Sequence, residues 1–173
     1  ALDIKPDFTI QNYIAYAYAM KEDFAETFEW TGKFIANPLS EGIKAKGYWL
    51  IGFYHYWLGN FDQAIEELQK AWDITQEYGE RDFFSEYFMG KIQYERGDLD
   101  LSRDQFQSWH DGLMEIMPPA AQDQRSFTSF FLHVGLGNID LKQRNIDSAR
   151  LHLKEMEALM PKISSPQKFI GYN

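Results

Sequence analysis

Four short segments of this chain look alike, and their spacing leaves few architectures open. They are EDFAET (22–27), GNFDQA (59–64), GDLDLS (97–102) and RNIDSA (144–149). Each has a polar residue, then an apolar one, then a small residue three positions on. Seven residues before each segment lies another small residue: Ala15, Gly52, Gly90 and Gly137, with spacings of 37, 38 and 47. Self-similarity at such periods marks supersecondary units that stack.

The pattern is that of a helix, a turn and a second helix. Glycine inside a helix costs up to about 1 kcal/mol against alanine, so its recurrence points to a neighbouring helix at close range. Asp23, Asn60, Asp98 and Asn145 are the expected N-caps of the second helices, their side chains accepting a free backbone N–H. Phe24, Phe61, Leu99 and Ile146 follow and are expected to pack back onto the first helix. Thr27, Ala64, Ser102 and Ala149 are the small residues that let the two helices meet, and Phe34, Ala71, Trp109 and Met156 lie seven further on as core. Helix pairs are expected near 9–20 and 23–36, 42–58 and 61–78, 81–96 and 99–116, 120–143 and 146–160. NPLSEG (37–42), MPPAAQD (117–123) and MPKISSP (160–166) join them; in the second joint, an Ω-loop or a helix opening at Pro119 accounts for the longest spacing.

The best unit, YWLIGFYHYWLGNFDQAIEELQKAW from Tyr48, resembles the tetratricopeptide repeat family. Tyr48, Ile51, Gly52 and His55 take the family's first-helix places; Ala64, Leu68 and Ala71 take those of the second. Thr31 and Trp109 depart from the pattern. The resemblance covers nearly the whole chain and implies an all-α fold, a right-handed α-solenoid of antiparallel helix pairs. It implies one array over residues 1–173, with repeats near 8–37, 42–78, 81–116 and 120–160 and partial repeats at both ends. ALDIKP reads as the tail of a preceding helix, and Ser165 and Pro166 as the start of another. End faces near Leu2, Ile4, Phe169 and Ile170 are then expected to be apolar and to pair in a homodimer.

Resemblance also implies that first helices line the concave side. The family's groove places fall on Thr9, Asn12, Tyr16 and Ala19; on Lys46, Trp49, Phe53 and Tyr56; on Phe84, Tyr87, Lys91 and Tyr94; and on Phe131, Val134, Asn138 and Leu141. The aromatic stretch YWLIGFYHYW then splits by helical period. Trp49, Phe53 and Tyr56 form one stripe, and Tyr48, Ile51, Gly52 and His55 face the partner helix. Two readings stand: an aromatic groove with Tyr16, Lys46, Trp49, Phe53, Tyr56, Phe84, Tyr87, Lys91 and Tyr94 as its candidate residues, or extended helices that pack more core. The family's carboxylate clamp needs Lys, Asn and Arg on these faces, and Trp49, Phe53 and Tyr87 stand there instead.

The remaining signals narrow the function. The net charge is −9, and the 17 basic residues are scattered, which argues against nucleic acid. No apolar run reaches about 18 residues, so no membrane span is expected. No basic, apolar leader opens the chain. There are no cysteines, which fits a reducing, cytoplasmic setting. His55, His110, His133 and His152 stand alone in sequence, none paired at helical ligand spacing, so neither a metal nor a cofactor is expected. No catalytic residue emerges, and an enzyme is not expected. The expected function is a protein-interaction module of a larger regulatory protein, binding a peptide or helix segment in the aromatic groove. The alternative is a small-ligand sensor domain of a transcription or signalling regulator.

Overall fold

The computed structural model describes residues 8–36, 38 and 40–163. Among them are eight α-helices and no strand: α1 (Phe8–Ala19), α2 (Phe24–Ala36), α3 (Glu41–Trp57), α4 (Phe61–Glu77), α5 (Phe83–Arg96), α6 (Leu99–Ile116), α7 (Gln122–Lys142) and α8 (Ile146–Leu159). The helices form sequential antiparallel pairs. The bounds agree with the sequence expectation within about two residues, except that α7 opens at Gln122 and not at Pro119. A short turn at 118–121, closed by the Ala121 N–H on the Pro118 carbonyl at 2.9 Å, precedes it. Leu2, Ile4, Ser165, Pro166, Phe169 and Ile170, on which the end-face expectation rested, lie outside the described residues.

The four look-alike segments share one turn, but not the expected side-chain caps. In each, a residue with positive φ ends the first helix: Glu22 at 61°, Gly59 at 75°, Gly97 at 90° and Arg144 at 64°. The next N–H then reaches back five residues, from Asp23 to Tyr18, Asn60 to His55, Asp98 to Gln93 and Asn145 to Asp140, at 2.8–3.0 Å. This is the Schellman arrangement. It leaves the side chains of Asn60, Asp98 and Asn145 without a cap hydrogen bond. Only Asp23 accepts one, from the Glu26 N–H at 3.4 Å. Ser40, in the first joint, does cap α3 through Ile43, and Asp82 takes the N–H groups of Phe84 and Ser85 at the start of α5.

Glu22 and Arg144 occupy a backbone region that costs a residue with a Cβ about 1 kcal/mol or more. Glycine occupies it freely and stands there at positions 59 and 97. Arg144→Gly and Glu22→Gly are therefore expected to raise stability, each by a few tenths to about 1 kcal/mol once the larger unfolded-state entropy of glycine is counted. Thermal unfolding followed by circular dichroism checks this; a lowered midpoint in both variants contradicts it.

The chain divides into two compact units, Ala1–Ile92 and Gln93–Asn173, with the boundary inside α5. In the first unit α1 packs on α2, α2 on α3 and α3 on α4. Its core has two clusters: Ala19, Phe34, Leu50 and Tyr54, then Ala64, Leu68, Met89 and Ile92. Thr31, at a place where a large apolar side chain is usual, is fully buried and donates its hydroxyl to the Thr27 carbonyl at 2.8 Å. In the second unit α6 packs on α7 and α7 on α8. Phe106, Leu132, Leu136 and Ile139 are buried there. Ile146, expected to pack back onto α7, is 46% exposed, because the inward side of α8 runs instead through Ser148 and His152, which meet Asp140 and His133.

Candidate aromatic binding face

On α3, residues 49, 53 and 56 share one stripe; on α5, so do 84, 88 and 91. The two stripes meet within the first unit. Trp49 and Phe53 stack with ring centroids 5.9 Å apart, and Trp49 lies 5.3 Å from Phe84 and 6.3 Å from Phe88. Phe88 is the hub, at 5.2 Å from Phe53, 5.5 Å from Tyr56 and 5.6 Å from Tyr87. Such offset and edge contacts are worth roughly 0.5–1.5 kcal/mol each beyond burial. Phe88 escaped the sequence reading because it holds a core place in the repeat, aligned with Leu50; the i+4 relation to Phe84 was the available signal.

Lys91 closes one end of this cluster. Its Nζ stands 5.2 Å from the Tyr56 ring, 5.7 Å from Phe88 and 5.9 Å from Tyr87, within cation–π range. Among the described residues no carboxylate pairs with it. Burial, with Tyr56 close by, pushes the Tyr87 hydroxyl up to about 12, so it stays protonated at neutral pH. The Trp49 Nε1–H is buried without an acceptor among the described residues.

These rings also serve the core. Trp49 and Phe53 lie against the first cluster, and Trp49, Tyr56 and Phe88 against the second. None of them is fully buried, and Phe84 is 57% exposed. The opening aromatic stretch thus divides three ways. Leu50, Gly52 and Tyr54 are buried, Trp49, Phe53 and Tyr56 form the half-buried face, and His55 stacks on Phe28 of α2 at 4.6 Å. His55 also feels the charge of Glu67 on α4, the helix it was expected to face. Burial lowers its pKa, with Glu67 opposing. Tyr54, not singled out in sequence, is the largest fully buried side chain among the described residues; burial, with Tyr16 nearby, pushes its hydroxyl up to about 12.

Of the nine candidate residues, Trp49, Phe53, Tyr56, Phe84, Tyr87 and Lys91 are joined in this network. Tyr16 is 41% exposed on α1, and Lys46 is exposed on α3. Tyr94 belongs to the second unit, where Lys142 stands 4.3 Å over its ring and donates to its carbonyl at 2.6 Å.

No family model matches the chain, and no curated protein matches it. Solved structures do. A structure of MamA superposes with a TM-score of 0.61 at 17% identity, covering 90% of this chain and 80% of that one. Two structures of nearly identical TPR-like repeats from a putative kinesin light chain of Podosopora anserina, the second a point variant of the first, give TM-scores of 0.63 and 0.65 at 13% identity, covering 90% of this chain and 75% of each. The fold is that of tetratricopeptide-like repeats. No helix among the described residues is long and apolar enough to cross a membrane.

The tetratricopeptide-like pair α7–α8 holds a polar cluster that sequence spacing did not reveal. Asp140, 2% exposed, accepts from Arg103 Nη2 at 2.6 Å and from the Ser148 hydroxyl, and lies 3.4 Å from His152 Nε2. His152 Nδ1 in turn meets His133 Nδ1 at 2.9 Å. Two of the four histidines expected to stand alone are therefore partners, nineteen residues apart. A third, His110, touches Ser129 and Asp111. Burial raises the Asp140 carboxyl, but the Ser148 and Arg103 hydrogen bonds outweigh it and hold the group below the usual carboxylate range.

Proposed function

We propose that this chain is a protein-interaction module that holds a peptide or helix segment of a partner against the α3–α5 aromatic face, as part of a larger regulatory protein. The observation that carries this reading is the juxtaposition of half-exposed rings with a caged lysine that has no carboxylate partner among the described residues. Rigid rings supply contact area at small entropy cost. Lys91 supplies an attractive point for a negative group in a chain of net charge −9. The Lys91 ammonium is a donor, which suits a partner that brings an acceptor.

The test is comparative binding to a captured partner. Tyr87→Ala and Phe84→Ala, and Trp49→Ala beside them, are expected to weaken the complex by about 2 kcal/mol each, near thirtyfold. Phe84 is the cleanest probe, because its ring is mostly exposed and its removal spares the core. Full binding by all three folded variants would sink the proposal.

A further inference from the structure

The last described helix carries an apolar seam of its own. No residue of α8 is buried. Ile146 and Leu153 of α8, and Met160, the capping residue just past its end, are spaced by seven and are 46%, 52% and 61% exposed. Ala149 and Met156, half-buried, lie beside them at the intervening three- and four-residue steps. The five form the a/d pattern of a helix-pairing seam about 20 Å long. Along the outer flank run Arg150 and Glu157, also seven apart and of opposite sign; Arg150 is 70% exposed and shares its charge with the fully exposed Asp147 of its own helix at 3.3 Å, a pair weak enough to yield to a second copy.

We propose that this seam pairs with the α8 seam of a second copy of the chain, antiparallel across a twofold axis. Charge decides the occupant and the direction. In an antiparallel pair the flanking positions of one type face each other, so Arg150 of one copy meets Glu157 of the other, twice by symmetry. The other flank is closed to such pairing, since His152 and Leu159 turn towards α7. The layers also complement one another in size, with small Ala149 opposite large Met160 and Leu153 opposite Met156. An interface of one helix from each copy falls at the small end of stable associations, so the dimer forms and dissociates with concentration. It is independent of the aromatic face, which lies in the other unit.

Sedimentation equilibrium of the full chain over a wide concentration range tests this. The wild type is expected to show a monomer–dimer equilibrium. Leu153→Glu, at an exposed position, is expected to abolish it with the helical spectrum unchanged. Arg150→Glu and Glu157→Arg are each expected to weaken the dimer at least tenfold, by setting like charges opposite, and the double exchange to restore it. A monomer at every concentration overturns the proposal. So does a dimer indifferent to Leu153→Glu, or one that the double exchange does not rescue. A wild-type monomer that dimerises only after removal of residues 164–173 also overturns it, by showing that the chain's own end covers the seam.

Discussion

Gly52→Leu is expected to cost about 3 kcal/mol or more and to unfold much of the first unit at moderate temperature. A Cβ at position 52 would stand 2.8 Å from Leu68 Cγ, 3.0 Å from its Cδ2 and 3.1 Å from the Ala64 carbonyl oxygen. Leu68 is fully buried in the second cluster and has no room to turn away, and the carbonyl belongs to the α4 backbone. Relief therefore requires α3 and α4 to separate, which exposes the clusters on both sides. Even Gly52→Ala must shift one of these atoms. Gly32 is the control. It lies within α2 with nothing inside 4 Å of its Cβ position, so Gly32→Ala is expected to gain up to about 1 kcal/mol from helix propensity. Urea unfolding of the three variants separates the effects; a Gly52→Leu protein as stable as wild type would show that α3 and α4 are not in close contact there.

The second large effect is expected at Asp140. Asp140→Ala leaves the Arg103 guanidinium and the Ser148 hydroxyl without their acceptor in a part-buried site, a loss of about 3 kcal/mol at neutral pH. The variant should also alter the acid response. Because the folded pKa of Asp140 lies below its ordinary value of 3.8, the ionised group stabilises the fold above that value, and this stabilisation fades as pH falls through the folded pKa. Asp140→Ala removes that part of the acid transition. A second part remains at higher pH. The His133 pKa is lowered from 6.5, first by burial and then by His152, with Glu155 opposing and His110 adding. The folded protein thus favours the neutral ring, so stability is full above pH 6.5 and declines as pH falls towards the folded value. Urea midpoints measured from pH 7.5 to 3 in wild type and Asp140→Ala test both parts; parallel curves below pH 4 would contradict the role given to the carboxylate.

Helix pairs, turns and close contacts were legible in the sequence because their determinants are local. Apolar residues at helical spacing mark the buried stripes, and the four turn segments mark where direction reverses. Ala15, Gly52 and Gly137 are followed at twelve residues by Thr27, Ala64 and Ala149. The first two pairs do meet: the Thr27 hydroxyl lies 3.4 Å from the Ala15 carbonyl, and Gly52 lies against Ala64. Gly137 lies instead against His152, 3.3 Å from its Cβ position. The turn residues were read correctly in place but not in mechanism. A polar side chain after a helix end suits an N-cap, yet a left-handed residue before it folds the backbone into the Schellman turn, and the asparagine and aspartate side chains are left aside. Only the backbone dihedrals decide between the two.

What tertiary structure alone decided is which distant stripes face each other. Sequence period placed Trp49, Phe53 and Tyr56 on one stripe and Phe84 on another, but the docking of α5 beside α3 made Phe88 the ring that joins them. Arg103 and Asp140 are 37 residues apart, and His133 and His152 nineteen. Nothing in their spacing marks them as partners, since a helical period states which residues share a face and is silent on the rotation at which two helices dock. That rotation is set by side-chain packing between helices, where Gly52 on Leu68 and Gly135 on Phe106 bring backbones close and so determine which polar groups meet.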